Sequence, residues 1–250
     1  MTQPHEHPHD HDHGHTHGHY HYHEHHHELV IPPDAPLIEL RGISYAYPSR
    51  PVVLDEMDFT FKQDQRLGIV GPNGAGKSTM FLVAMGLLTP RSGEVWALGK
   101  QRKEEEEYRE VRANIGLCFQ DPDDQLFSPT VLQDVAFGPL NLGLSKDRAI
   151  DRARGVLVNL GLEGFEDRIT YQLSGGEKRL VSLACVMAMN PVALLLDEPT
   201  SGLDQATEQR LKQVLSKSDL AFAIISHDRQ FLEQTCQRTV MLKDGKLASQ

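Results

Sequence analysis

The stretch RLGIVGPNGAGKSTMFLVAMGLL, residues 66–88, restricts the possible folds more than any other part of the chain. An apolar run from Leu67 to Val70 leads into a turn with Gly71, Gly74 and Gly76, and a segment of helical periodicity follows. The pattern predicts a strand, a loop and a helix in succession. The spacing Gly71-x-x-x-x-Gly76-Lys77-Ser78 is that of a phosphate loop, in which glycines let backbone N–H groups close around phosphate oxygens at a helix N-terminus. Lys77 adds a point charge toward β- and γ-phosphates, and the Ser78 hydroxyl can ligate Mg2+. Asn73 and Thr79, inside and just after the loop, join these residues as candidate nucleotide contacts. The competing reading, a glycine turn with an incidental lysine, fits poorly with a strand before it and a helix after it.

Two later segments repeat the apolar-run design. VALLLDEP, residues 192–199, reads as a parallel strand buried on both faces and ending in two carboxylates. The C-terminal edge of such a strand is where α/β sheets bind ligands, so Asp197 is placed to hold Mg2+ and Glu198 to polarise an attacking water. Acids that merely begin a helix are the alternative. LAFAIISHD, residues 220–228, ends in His227, which at the same sheet edge could donate a hydrogen bond to a γ-phosphate. A lone histidine is otherwise more often structural.

Thirteen of the 14 histidines lie elsewhere, between His5 and His27, at nearly every second position. Residues 1–36 have few apolar groups and end in IPPDAP, which predicts a disordered, metal-binding tail and a folded body beginning near Leu37. A purification tag, a metal buffer or sensor, and a plain linker all remain open for the tract. Imidazole nitrogen binds Ni2+, Cu2+, Co2+ and Zn2+, in an order of affinity that does not favour cobalt. The body carries 25 Lys and Arg against 29 Asp and Glu, without the basic stripe expected of a nucleic-acid binder. The acid run Glu104 to Glu107 reads as a solvated face. Cys118, Cys185 and Cys236 are widely spaced, so neither a disulfide framework nor a zinc knuckle is expected, and a reducing cytosol fits. Neither a secretory signal nor a membrane span is expected; the most apolar stretch, residues 180–196, is broken by Asn190-Pro191.

The sequence LSGGEKRLVSLACVMAMNPVALLLDEPTSGLD, residues 173–204, resembles the signature motif, second nucleotide-binding strand and following loop of ATP-binding-cassette ATPases. With the phosphate loop, Tyr47, Gln120 and His227 in the same order, the resemblance spans residues 37–250. It implies an α/β P-loop NTPase core with a mostly parallel sheet, an N-terminal antiparallel β part and a helical subdomain at about 121–190. It implies ATP and Mg2+ as cofactors, with Tyr47 stacked on adenine in preference to Tyr45, and Gln120 touching Mg2+ and the attacking water. It also implies a head-to-tail dimer, of one chain or with a paralogue, in which Ser174, Gly175 and Gly176 close over the γ-phosphate held by the other copy. Glu177 departs from the family's usual glutamine and sets a carboxylate near phosphates, so a tighter dependence on Mg2+ is expected.

FQDPDDQLFSPTVLQDVAFGPLNLGL, residues 119–144, is similar to the corresponding region of the ATPases of energy-coupling-factor importers. Asp121-Pro122 starts a turn, and Val131, Val135 and Phe137 begin an amphipathic helix. Leu126 and Phe127 are open to two readings, core or a groove for helices of a membrane partner. The similarity implies a peripheral ATPase at the cytoplasmic face of the membrane, partnered by a transmembrane coupling subunit and a substrate-binding membrane subunit, with cobalt and nickel importers nearest. A vitamin importer of the same group is one alternative. Another is a non-transport ATPase acting on DNA or the translation machinery, which would show a coiled coil, a second cassette or a basic surface.

Overall fold

The computed structural model describes residues 29–48 and 51–249, so the histidine tract lies outside the described residues. Strand β1 (Ile38–Ala46) pairs antiparallel with β2 (Val52–Phe61), and alternate residues of both point into a core. Then β3 (Arg66–Val70) runs straight into the phosphate loop and α1 (Lys77–Ala84). The chain returns through β4 (Ser92–Ala97) and the short β5 (Lys100–Arg102), which complete a four-stranded sheet of order β2-β1-β4-β5. After α2 (Tyr108–Asn114) comes β6 (Ile115–Cys118), the edge of a second sheet.

A helical lobe follows: α3 (Val131–Asn141), α4 (Lys146–Asn159) and α5 (Gly175–Ala188). Each of α3 and α5 starts at a capping box, Thr130 with Gln133 and Ser174 with Glu177, which satisfies N–H groups the helix cannot pair internally. Buried Asp134 ties the lobe together, accepting from the N–H groups of Phe127 and Ser128 at 3.1 and 2.8 Å and from the Thr170 hydroxyl at 3.0 Å. The apolar stretch after Leu180 is divided as its Asn-Pro break predicts: α5 stops, Asn190 turns the chain with φ +59°, and β7 (Ala193–Asp197) begins.

Beyond β7 lie α6 (Gln205–Lys217), β8 (Ala221–Ile225), α7 (Arg229–Thr235), β9 (Arg238–Lys243) and β10 (Lys246–Ser249). The second sheet has the order β10-β9-β3-β8-β7-β6, parallel except for the β10 edge. Every residue of β6, β7 and β8 is buried, because layers cover both faces. Their side chains alternate between two cores. Ala193, Leu195, Ala223 and Ile225 face the antiparallel sheet, whereas Leu194, Leu196, Phe222 and Ile224 face the helices.

Residues ahead of Leu37 also pack onto the body. Leu29 and Ile31 pack against the first core, and Pro32 closes on the turn at Gly99, where an added Cβ would lie 2.8 Å from the proline ring. Two apolar side chains spaced by one exposed residue, Val30, suffice to seat this segment although the tract before it is polar. Among the described residues no helix is long and apolar enough to cross a membrane.

Candidate active site

The loop between β3 and α1 has the geometry its glycines allow. A Cβ on Gly71 would sit 2.1 Å from the Leu242 carbonyl oxygen, and Gly76, at φ +99°, caps α1 where a Cβ would strike Leu54. Both positions therefore exclude side chains, which lets the backbone come close to a bound phosphate. Lys77 folds over the loop, its Nζ donating to the carbonyls of Gly71 and Pro72 at 2.9 and 3.0 Å. These weak neutral acceptors are readily exchanged for phosphate oxygens.

The cleft over this loop, about 350 Å3, is lined by Tyr47, Asn73, Gly74, Gly76, Lys77, Ser78, Thr79, Gln120, Asp197 and Glu198. Strands β3, β6 and β7 thus bring together residues that are far apart in sequence. Tyr47 hydrogen-bonds Thr79 through its hydroxyl at 3.2 Å and meets Tyr45 edge to face, while Tyr45 itself is buried. Of these two rings, that of Tyr47 is the one that lines the cleft. Ser174, Gly175 and Gly176 are not among the residues that line it.

Asp197 ends β7 with its carboxylate buried, bonded by the Ser78 hydroxyl, and with Oδ1 lacking a hydrogen-bond partner among the described residues. Burial holds its pKa above the ordinary carboxylate value, Glu198 adds to the rise, and the Ser78 bond and Lys77 charge oppose it. An unpaired buried carboxylate oxygen beside a hydroxyl and the Gln120 amide is the hard-oxygen donor set that Mg2+ prefers, so the residues fit that ion.

Glu198 adopts φ +50°, a left-handed conformation that costs a non-glycine residue about 1–3 kcal/mol. Its N–H donates to the Ile225 carbonyl at 2.8 Å, which holds the turn in place, and the side chain swings to put Oε2 2.8 Å from Nδ1 of His227. With an ionised carboxylate, Nδ1 donates and Nε2 is left for another oxygen. The His227 side chain is 76% exposed, so it stands at the rim.

Arg179 on α5 escaped the sequence reading. One guanidinium nitrogen donates to the backbone carbonyls of Gln120 at 2.7 Å and Glu198 at 3.3 Å, joining the ends of β6 and β7. Nothing in its local sequence distinguishes it from a solvated helix arginine; the contact exists only in three dimensions. Cys118, Cys185 and Cys236 are free thiols, away from the lining of this cleft.

The open question at Leu126 and Phe127 resolves by residue. Leu126 belongs to the core under the helices, whereas Phe127 is 67% exposed and stacks edge to face on exposed Phe137, centroids 4.7 Å apart. Leu126→Ala should therefore cost about 2–5 kcal/mol in a denaturant titration, as emptied core sites do. A Phe127→Ser chain should unfold within about 0.5 kcal/mol of the parent, as exposed substitutions do; equal losses for the two would contradict this division.

A family model described as ABC transporter matches residues 54–201. The chain is 42% identical over 218 residues to the energy-coupling factor transporter ATP-binding protein EcfA of Methanothermobacter thermautotrophicus, covering 86% of this chain and 70% of that one. Its structure is similar, with TM-score 0.75 and 32% identity, to cbiO1 from Clostridium perfringens, described as part of the ABC transporter complex cbiONQ, over 85% of this chain and 87% of that one. It is also similar, with TM-score 0.77 and 27% identity, to the ATP-binding cassette MJ0796 in a dimeric post-hydrolysis state bound to ADP and Pi, over 85% and 98% of the two chains.

Proposed function

From the premise that this chain belongs to the ABC transporter family and is an ATP-hydrolysing, ATP-binding subunit of it, we propose that it powers an energy-coupling-factor importer of cobalt or nickel ions. Two ATPase subunits, both this chain or this chain and a paralogue, close head to tail on ATP. Opening after hydrolysis moves a transmembrane coupling subunit, which works with a substrate-binding membrane subunit. The ATPase then sits peripherally on the cytoplasmic face of the membrane.

The observation that carries the catalytic half is the pairing of Glu198 with His227 at 2.8 Å, beside the unpartnered oxygen of Asp197. The loop N–H groups and Lys77 hold the β- and γ-phosphates, helped by Asn73, Gly74, Gly76 and Thr79, and Tyr47 stacks on adenine. Ser78, Asp197 and Gln120 would hold Mg2+, which when bound would supply charge neutralisation on the phosphates. Glu198 takes the proton of the attacking water; His227 orients that carboxylate through Nδ1 and offers Nε2 to the γ-phosphate. Ser174, Gly175 and Gly176 of the second copy complete the γ-phosphate site with the start of α5. Residues 121–190 act as the helical subdomain that carries this signature, and the exposed Phe127–Phe137 pair receives helices of the transmembrane partner. Changing both rings to serine should abolish complex formation while melting temperature stays put; an undisturbed complex would move the docking site elsewhere.

The cargo rests on one observation, 13 histidines between His5 and His27. Alternating imidazoles can wrap around several Ni2+ or Co2+ ions, with Zn2+ as a competitor, to buffer or sense the metal beside the transporter. Deleting residues 1–28 should abolish multisite metal binding at neutral pH and leave Mg2+-dependent ATPase unchanged. In the intact chain the binding should fade below about pH 6.5, where imidazole protonates. Retained metal stoichiometry in the truncated chain would contradict the assignment. Uptake of labelled Co2+ or Ni2+ by vesicles holding the whole transporter tests the cargo itself, and uptake of a vitamin with no metal uptake would replace it.

A further inference from the structure

The start of α5 carries a charge that its proposed role has to accommodate. Glu177 Oε2 accepts from both the N–H and the hydroxyl of Ser174, each at 2.8 Å, and the Glu177 N–H donates back to the Ser174 oxygen at 3.3 Å. The serine hydroxyl that is to meet a γ-phosphate therefore points at a carboxylate. Arg168 engages the other oxygen: its Nη1 lies 3.0 Å from Glu177 Oε1. The guanidinium is fixed from below by the Phe165 ring, 3.5 Å from Cζ to the centroid. Its backbone is pinned as well, the Arg168 N–H donating to the Phe165 carbonyl at 2.9 Å and the Arg168 carbonyl accepting from Val131 at 3.1 Å, at the first turn of α3.

We infer that Arg168 is a positioning residue for ATP hydrolysis: its guanidinium cancels the Glu177 charge and fixes that carboxylate on Ser174, so that the N-terminus of α5 can accept the γ-phosphate held by a second copy. The inference rests on the reading of Ser174, Gly175 and Gly176 as the element that closes over the phosphate. A half-exposed ion pair adds little to folding stability, so the effect of losing it belongs in ATP affinity. Without Arg168 an uncompensated carboxylate faces the incoming polyanion, and repulsion between like charges opposes closure. Removing the carboxylate as well removes the repulsion.

The test is steady-state ATPase of the full-length chain against ATP concentration, for Arg168→Gln, Arg168→Lys and the double substitution Arg168→Gln/Glu177→Gln, with melting temperatures alongside. Arg168→Gln should raise KM for ATP about tenfold with kcat held within about twofold, the scale of one poorly screened like charge. Raising salt from about 0.05 to about 0.5 M should shrink that rise, since the Debye length falls severalfold. The double substitution should bring KM back to within about twofold of the parent, and Arg168→Lys, which keeps the charge, should stay within about threefold. A purely structural ion pair would lower the melting temperature in the single and double variants alike and show no recovery. An unmoved KM in Arg168→Gln, a KM that the second substitution fails to restore, or a lysine variant as impaired as glutamine overturns the inference. Gly176→Asp separates this from the signature reading. If it leaves turnover intact, that reading falls and the inference with it; if it abolishes turnover while Arg168→Gln leaves KM unmoved, the inference alone falls.

Discussion

Glu198→Gln should lower ATP turnover by about 10²-fold or more, the scale of a lost general base, while ATP binding persists. The substitution is nearly isosteric. The amide oxygen can still accept from His227 Nδ1, and the bond from the Glu198 N–H to Ile225, which secures the left-handed turn, is a backbone bond that the change leaves alone. Lys77, Ser78 and Asp197 are likewise untouched, so the phosphate and Mg2+ positions stay assembled. What disappears is the carboxylate proposed to take a proton from the attacking water. A single-turnover measurement beside an ATP titration reads both quantities, and full turnover by the variant would remove Glu198 from the chemistry.

Lys77→Ala has the opposite signature, with a loss of nucleotide affinity before any loss of rate. Among the described residues its ammonium hydrogen-bonds the Gly71 and Pro72 carbonyls, and it trades them for phosphate oxygens, a charge-assisted bond worth about 1.5–3 kcal/mol. Calorimetry should show ATP affinity reduced by about 10- to 100-fold. The alanine also favours helix at the first position of α1, so the fold should survive. Unaltered affinity would contradict the phosphate-loop assignment.

The parts of this site that could be read in advance are those with a local cause. Gly71 and Gly76 are legible because their backbone positions exclude a Cβ, and Asp197 and Glu198 because a short continuous apolar run reads as a buried strand whose end opens on a ligand crevice. Illegible were the features that arise when distant segments meet. Arg179 reaches Gln120 and Glu198 only because α5 packs beneath β6 and β7, and Arg168 reaches Glu177 only because the loop before α5 is pinned to α3. Leu126 and Phe127 are adjacent and both apolar; their opposite fates follow from the turn after Pro122, which buries one side chain and leaves the other on the surface. The left-handed Glu198 is invisible for the same reason, since its strain is held by a bond to β8.

Purification of the full-length chain from membranes in mild detergent, with identification and counting of whatever accompanies it, tests the transporter assignment most directly. The expected result is a complex of two ATPase subunits with at least one protein of several transmembrane helices, whose ATPase is lost with Glu198→Gln and whose assembly is lost with the Phe127 and Phe137 substitutions. Recovery of the chain without any membrane protein, or bound to nucleic acid or ribosomes, would contradict it.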